Sequence, residues 1–445
     1  MWMNGRVPLP CALLLAMSVM ISACSGGGGD GAEVERSKPP SPPTRKKEPS
    51  LPNYDPPKQF TADGIHLGTK RCCNDDPDGS GRGYVVDSRA IYYMTSDTEL
   101  VAHDLATGKR VLSFTFDNGS SDDAVPLPKV TDGRIFNSYL VPVEGTGTQA
   151  ERRLLRVVAV DARTGRTLWS VDLDEDIGSY SSDTPSVFAA NSEHVVVERI
   201  VEGGHYTAIL NAKNGELRWQ DREFHPYAFD GQVLAGQTVS VNWSPENQSP
   251  PEGRAVTDGT RRWKLPNRPP GKDPYRDWGG IAPVWRTDRA DDALFLVSVG
   301  ESLDAQPKAL ILRARDGKQI VTINTDSGLQ ASQLRDCWHD GRQTIVCQVG
   351  VDSQVDAYDE QSGKKLWSLP DQAAGRVAPE VTAVHNGAVY GSTDNGSLIL
   401  NARTGKDMVT DLVVKPHYVG PGFGIAPLKE AGKYWHEIYL YPATN

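Results

Sequence analysis

The sequence predicts an all-β protein consisting of a single β-propeller with four-stranded antiparallel blades. Three observations carry this prediction: a recurring turn motif, the spacing of its copies, and an apolar residue at a fixed distance after each copy. In the copy at Asp161–Gly165, the aspartate can accept turn amide hydrogens and the glycine can take a positive φ. Trp169 lies four residues further on and begins the next apolar strand. Seven copies end in a glycine that has an apolar residue four positions on; these are Gly108, Gly165, Gly215, Gly259, Gly317, Gly363 and Gly405.

The spacing of these glycines indicates the size of the repeated unit. They lie 42 to 58 residues apart, which suits one four-stranded sheet per repeat. A second hairpin signal precedes several copies, at Asp132-Gly133, Asp230-Gly231, Asp340-Gly341 and Asn386-Gly387. Asn-Gly and Asp-Gly favour the type I′ turn, whose twist matches antiparallel strands. Each unit therefore consists of two strands joined by this turn, a third strand, the Gly-ending turn and a fourth strand.

The end of the chain predicts how the ring closes. Residues 438–445 align with residues 398–405, so the chain stops at the turn and lacks the fourth strand of its last blade. That strand can come from the N-terminal side, near Gln59 to Leu67, and closure removes an exposed sheet edge. Seven complete blades and one composite blade make eight. A ring of seven blades, with the last strands folded into the seventh, is the alternative.

The N-terminal residues are typical of an exported, anchored protein. Residues 1–23 fit a secretion signal, with an apolar stretch from Cys11 to Ile21. The stretch Ile21-Ser22-Ala23-Cys24 resembles the lipobox of bacterial lipoproteins, which implies that Cys24 is diacylated and becomes the first mature residue. Residues 24–59 are rich in glycine and proline and predict an extended, disordered tether. The expected organisation is a signal peptide (1–23), a tether (24–59) and a propeller (60–445).

The repeat itself resembles that of a known family. The Ala-x-Asp-x-x-Thr-Gly-x-x-x-Trp pattern is similar to the PQQ-like, or quinoprotein-type, β-propeller repeat, and it extends from residue 60 to the end. This resemblance implies that the tryptophans of four copies lie between neighbouring blades and lock them together; they are Trp169, Trp219, Trp263 and Trp367. The family includes large quinone-dependent dehydrogenases and also cofactor-free members, such as the lipoprotein subunit of the outer-membrane protein assembly machine.

Few motifs in the sequence indicate catalysis. HExxH, GxSxG and P-loop motifs are absent, and no pair of the nine histidines has zinc-ligand spacing. Asn74, Asp76 and Asp78 imitate the start of a calcium loop, but its twelfth position is Val85 instead of glutamate. We therefore expect no catalytic residue, no metal site and no cofactor. The net charge of −10 argues against nucleic acid as a partner.

Four cysteines remain after signal cleavage and lipidation, and four thiols allow three disulfide connectivities. Cys337 and Cys347 flank one hairpin, and a three-residue loop, Gly341 to Gln343, brings them opposite each other. Their pairing leaves Cys72 and Cys73 to form a strained vicinal disulfide or to stay reduced. A vicinal disulfide over the cofactor occurs in some quinone-dependent alcohol dehydrogenases, but the calcium-binding carboxylates of those enzymes match no residues of this sequence.

The leading functional prediction is a non-enzymatic, lipid-anchored, extracytoplasmic scaffold, monomeric, that binds another envelope or surface protein or a ligand. The alternative is a secreted quinone-dependent oxidoreductase. A third possibility, a ligand-sensing ectodomain, would need a separate transducer. For the partner site we predict residues 266–285, where Tyr275, Arg276, Trp278 and Trp285 combine aromatic and Arg side chains as in binding hot spots. The alternative for this insert is structural, with Trp285 in a blade strand and the other aromatic residues covering the disc.

Overall fold

The computed structural model describes residues 50–71, 83–117, 125–173, 184–201, 204–239, 249–267, 278–286, 293–299, 308–324, 334–349, 354–371, 374–428 and 435–445. Thirty-two β-strands, and no α-helix, occur in these ranges. In chain order they are β1 (Ile65–Arg71), β2 (Val85–Val86), β3 (Ala90–Met94), β4 (Glu99–Asp104), β5 (Arg110–Thr115), β6 (Lys129–Thr131), β7 (Arg134–Val143), β8 (Arg152–Asp161), β9 (Thr167–Leu173), β10 (Ser186–Ala190), β11 (His194–Val201), β12 (Gly204–Asn211), β13 (Leu217–Asp221), β14 (Phe224–Phe229), β15 (Val233–Thr238), β16 (Glu252–Ala255), β17 (Arg261–Lys264), β18 (Trp278–Arg286), β19 (Leu294–Val299), β20 (Lys308–Arg313), β21 (Gln319–Asn324), β22 (Leu334–His339), β23 (Thr344–Val349), β24 (Gln354–Asp359), β25 (Lys365–Leu369), β26 (Glu380–His385), β27 (Ala388–Thr393), β28 (Gly396–Asn401), β29 (Asp407–Leu412), β30 (Tyr418–Gly420), β31 (Phe423–Leu428) and β32 (Trp435–Pro442).

These strands form eight four-stranded antiparallel blades. Blades 1 to 7 each take four consecutive strands, from β2–β5 to β26–β29, and blade 8 consists of β30, β31, β32 and β1. The first strands of neighbouring blades contact each other, which places them around the centre of the ring and the fourth strands at its edge. In blades 5 and 6 this contact is a parallel pairing of β18 with β22, from Val284 to Arg286. The predicted fold class and the count of eight blades are confirmed.

Blade 8 closes the ring with a strand from the N-terminal side, as predicted. The closing strand is β1, in which Ile65 pairs with Leu440 of β32. β1 starts later than the predicted segment because the residues before it contact other blades. The segment from 51 to 60, which we term the strap, packs on blades 7 and 8. Asp55 Oδ1 lies 2.7 Å from His385 Nε2, and the buried Tyr390 hydroxyl donates to the Pro57 carbonyl at 2.7 Å.

The two faces of the disc differ in their connections. The turns between first and second strands and those between third and fourth strands lie together, since the Ala162 amide donates to the Gly133 carbonyl at 2.9 Å. We term this side the turn face. The remaining connections lie together on the opposite side, where the Phe116 amide donates to the Thr98 carbonyl at 2.9 Å. We term it the loop face.

The hydrophobic core lies between the blades. In β3 all five side chains are buried because a neighbouring blade packs against each face of the sheet. Between blades 1 and 2, for example, Leu100 and Leu112 pack with Ile135 and Val160. The blade strands therefore contain continuous runs of apolar residues instead of a strict alternation of apolar and polar residues.

Two of the four Asx-Gly hairpins depart from the predicted type I′ turn. Asp132 and Asn386 have positive φ, as has the glycine after each, which agrees with type I′. Asp230 and Asp340 have no positive φ. Their buried side chains instead accept several backbone amides of the turn; Asp340 Oδ1 accepts from the amides of residues 342, 343 and 344. The Asp230 and Asp340 carboxylates therefore stabilise turns that are longer than the two-residue type I′ turn.

Candidate functional site

Each turn between a third and a fourth strand is organised by one side chain. In blade 2, Asp161 Oδ1 accepts the Thr164 amide and the Thr164 hydroxyl, each at 2.7 Å, and the Arg163 amide at 3.1 Å. The Thr164 hydrogen bonds hold the pKa of the Asp161 carboxyl below its usual range. The Gly165 amide closes the turn on the Asp161 carbonyl, with φ at 69°. The turn is therefore well defined and fixes the direction of the residues around it.

The repeat tryptophans lie against the turn of the following blade. Trp169 Nε1 donates to the Ala212 carbonyl at 3.1 Å, and its ring covers Gly215 so closely that a Cβ there would lie 2.7 Å from the ring. The other three repeat this contact, donating to the carbonyls of Val256, Ala314 and Ala402 at 3.0, 2.9 and 2.7 Å; they are Trp219, Trp263 and Trp367. These contacts join blades 2 to 3, 3 to 4, 4 to 5 and 6 to 7.

The ring closure between blades 8 and 1 uses a different buried pair. The Tyr93 hydroxyl lies 2.9 Å from the Leu67 carbonyl and 3.2 Å from His103 Nε2, and the other ring nitrogen of His103 lies 3.1 Å from the Gly108 carbonyl. Burial raises the pKa of Tyr93 to about 12 and lowers the pKa of His103, so both side chains are neutral there near pH 7.

The turn face carries a ring of exposed basic side chains, which we term the basic rim. Two Lys or Arg residues in each of blades 1 to 7 lie within the turn between third and fourth strands or in the three residues after its glycine. The members are Lys109, Arg110, Arg163, Arg166, Lys213, Arg218, Arg261, Arg262, Arg315, Lys318, Lys364, Lys365, Arg403 and Lys406.

Several carboxylates of the turn face accept hydrogen bonds from the turns to which they belong. Asp104, Asp161 and Asp359 bond to their own turns, as described for blade 2. Among the described residues of this face, the exposed carboxylates are Asp55, Asp63, Asp132, Glu193, Glu216, Asp258, Asp316 and Asp407. The exposed turn face is therefore basic in balance, whereas the whole chain carries −10.

A polar cleft of about 660 Å³ opens on the turn face between blades 6 and 7. Arg342 and Arg403 line it from opposite blades. Arg342 Nε donates to Asn386 Oδ1 at 2.6 Å, and Arg403 Nη1 lies 2.9 Å from Asp359 Oδ2. Both guanidinium groups are held in place, so the cleft can hydrogen-bond a polar or anionic group.

A cluster of titratable side chains lies between blades 3 and 4. Glu198 Oε1 accepts from the Ser186 hydroxyl at 3.3 Å, and Glu198 Oε2 lies 3.7 Å from His225 Nε2. The His225 ring stacks on His205 with centroids 3.7 Å apart. Burial raises the pKa of Glu198 to about 7; burial and the neighbouring His205 lower the pKa of His225 to about 3. This cluster can therefore take up or release a proton near neutral pH.

The predicted disulfide partners on blade 6 are joined. Cys337 and Cys347 are a buried cross-strand pair of β22 and β23, with Cα atoms 4.1 Å apart and a disulfide bond between them. The Asp340 amide bonds to the Thr344 carbonyl, which leaves a three-residue loop between them. Cys72 and Cys73 lie outside the described residues, as does Cys24.

Two of the four predicted partner-binding residues lie in an inner strand. Trp278 and Trp285 belong to β18, the first strand of blade 5, where they pair in register with Val299 and Trp338 respectively. Tyr275 and Arg276 lie outside the described residues.

Sequence reasoning missed two features. The basic rim has a sequence signal, because two Lys or Arg residues recur at related positions of seven repeats. The net charge of the whole chain hides this periodicity. The Glu198–His225 contact has no local signal, since it joins residues from different blades.

Within the described ranges, no three His, Cys, Asp or Glu side chains are grouped so that they could hold a metal ion. In the same ranges we find no helix of sufficient length and apolar character to span a membrane.

Comparison with known proteins places the chain in a family. The PQQ_2 family model, described as outer membrane protein assembly factor BamB, matches residues 55–223, 142–270 and 253–418. No curated protein matches the sequence. Among solved structures, BamB from Moraxella catarrhalis is similar at 14% identity and a TM-score of 0.43, over 85% of this chain and 99% of that one. The quinohemoprotein alcohol dehydrogenase from Comamonas testosteroni is similar at 14% identity and a TM-score of 0.50, over 88% of this chain and 78% of that one. Because the family matches together span well over half of its length, the chain belongs to the PQQ_2 family of outer membrane protein assembly factor BamB.

Proposed function

We propose that this chain is a non-enzymatic, lipid-anchored, extracytoplasmic scaffold that binds another protein of the cell envelope. The observation that carries the proposal is a closed ring, locked between blades, whose long connections share one face. The connections β1–β2, β5–β6, β9–β10, β15–β16 and β17–β18 each contain a dozen residues or more, and all join strand ends on the loop face. Long connections on a rigid support are where binding residues concentrate. Membership of the BamB family supports an envelope partner.

The proposed partner site lies at blade 5. Tyr275 and Arg276 belong to the β17–β18 connection, and Trp278 and Trp285 to the strand that follows. Aromatic and Arg side chains dominate binding energy in protein interfaces. We therefore assign the partner to the loop face, with this connection as its main contact.

The anchor is proposed at Cys24, after cleavage of residues 1–23. A Cys24→Ala change removes the thiol that carries the lipid, so we expect the protein in the medium or as unprocessed precursor. Fractionation of cells, with detection of the propeller, measures this. Mature Cys24→Ala protein that still sediments with membranes would contradict the anchor.

A quinone-dependent oxidoreductase is the alternative function. We expect that PQQ and Ca²⁺, added to the purified protein, leave no bound-quinone absorbance after gel filtration and no dye reduction with alcohols or sugars. A quinoprotein alcohol dehydrogenase treated in parallel is the positive control. Stoichiometric bound quinone with dye reduction would replace the scaffold proposal by the enzyme.

A further inference from the structure

We propose that the basic rim of the turn face docks on an anionic lipid bilayer, so that the disc lies with its turn face against the membrane and its loop face outward. This inference rests on the proposed anchoring at a membrane.

The first support is the arrangement of charge. The rim repeats around seven blades of one flat face, and its side chains are exposed. Many of them form no ion pair within the described part of the chain, among them Lys109, Arg166, Lys213, Lys318 and Lys406. Others are paired, such as Arg110 with Glu99. A ring of cations on one face suits a planar anionic surface better than a compact ligand, which would contact one or two blades.

The second support is the position of the strap. It lies on the turn face at blades 7 and 8, where the Gly422 amide donates to the Tyr54 carbonyl at 2.8 Å. Gly422 belongs to the turn between β30 and β31, which is a turn of this face. The strap, which contains the first described residues, therefore lies on the basic side, beside blade 8, which has no basic pair.

The third support is a set of exposed apolar side chains within the rim. Val111, Leu168 and Leu217 are 53%, 47% and 40% exposed, and they lie among the rim residues on the outer strands of three consecutive blades. Exposed apolar side chains set among Lys and Arg are typical of segments that lie in a membrane interface. We therefore place the closest lipid contact at blades 1 to 3.

The energy expected is sufficient to orient the disc. A Lys or Arg near an anionic bilayer contributes roughly 1 kcal/mol, so several rim residues together orient a disc that the lipid keeps at the membrane.

The test uses the mature chain from Ser25 without lipid, so that only the protein surface contributes. Its binding to vesicles of phosphatidylglycerol and phosphatidylcholine, and to phosphatidylcholine alone, is measured by sedimentation. The rim variant is Lys109→Glu/Arg166→Glu/Lys213→Glu. The control, Arg152→Glu/Arg153→Glu/Lys415→Glu, makes the same charge change on the loop face. We expect binding to anionic vesicles only, about 100-fold weaker for the rim variant and within about twofold of wild type for the control.

Three results would overturn the proposal: no preference for anionic vesicles, equal loss for rim and control variants, or tighter binding of the rim to soluble polyglutamate than to vesicles at equal charge. The last would assign the rim to an acidic protein. None of these results affects the lipidation of Cys24 or the capture of a partner at the loop face, so the scaffold proposal is tested separately.

Discussion

At the scale of single residues, burial changes the charge that a side chain carries. The Glu198 carboxyl, 17% exposed, lies beside His225 and Ser186 between two blades. Burial disfavours the ionised carboxylate, which is why the pKa of Glu198 rises from 4.5 to about 7. The same burial, with the adjacent His205, lowers the pKa of His225 from 6.5 to about 3.

The two shifts have opposite consequences for stability. Between pH 4.5 and 7 the folded protein keeps the Glu198 proton that the unfolded chain has lost, so stability falls as the pH rises through this window. Between pH 6.5 and 3 the unfolded chain protonates His225 before the folded protein does, so stability falls as the pH decreases. The cluster therefore destabilises the protein toward both ends of the pH range.

A Glu198→Gln variant separates these effects. Glutamine keeps an acceptor for Ser186 but cannot ionise, so the variant avoids the loss of stability that wild type suffers as the pH rises from 4.5 to 7. We expect its free energy of unfolding, relative to wild type, to increase by about 3 kcal/mol between pH 5 and pH 8. Urea denaturation at both pH values measures this. Glu216→Gln, an exposed carboxylate of blade 3, is the control. An unchanged difference between the two pH values would show that Glu198 is ionised throughout.

At the scale of elements, four of the contacts between one blade and the next are each a matched pair of a glycine and a tryptophan. The turn glycine supplies a positive φ and the absence of a Cβ, and the tryptophan of the preceding blade occupies the space. At Gly405 a Cβ would lie 2.7 Å from the Trp367 ring. The indole Nε1 then reaches the Ala402 carbonyl in the same turn at 2.7 Å.

This pairing predicts a double-mutant cycle. Trp367→Ala should cost about 3–5 kcal/mol because it removes a large, largely covered ring. Gly405→Ala should cost more than Gly133→Ala, since both glycines have similar positive φ but a Cβ at Gly133 meets nothing within 4 Å. In the double variant the new methyl group occupies the space left by the ring. The double variant should therefore lose less free energy of unfolding than the two single variants lose together. Urea denaturation gives all the values, and strict additivity would contradict the ring contact.

Elements also show what a sequence predicts well. The blade pattern was predictable because seven repeats have a turn glycine with positive φ and an apolar residue at a fixed distance after it, and in five of them an Asp or Asn side chain four residues before the glycine caps the turn. The type of the first hairpin was less predictable. Asp132-Gly133 and Asp230-Gly231 look alike, yet only the first has positive φ at both residues, because the buried Asp230 carboxylate bonds the turn amides instead.

At the scale of the whole molecule, the ring closes through residues from both ends of the described chain. The closing strand was predictable because the last repeat lacks a strand. The strap was not, because its contacts, such as Asp55 with His385, join residues far apart in sequence that share no pattern. The Glu198–His225 cluster was unpredictable for the same reason. The basic rim shows a third case, in which a periodic signal becomes a surface only when the repeats are arranged in a ring.

The two faces of the molecule differ in the residues that they expose. The turn face carries the basic rim and the strap, and the loop face joins the long connections. In the account proposed above, the first faces the membrane and the second binds an envelope protein. The partner site is the central claim, and capture of the partner tests it most directly.

That measurement is crosslinking in intact cells followed by purification of wild type, of the variant Tyr275→Ala/Trp278→Ala, and of the control Val377→Ala/Val413→Ala. The control removes two exposed apolar side chains from the connections before and after blade 7, away from blade 5. We expect wild type and control to capture the same envelope protein, and the variant to capture at least about tenfold less with an unchanged melting temperature. Wild-type protein that captures no envelope protein, or a folded variant that captures as much as wild type, would contradict the account.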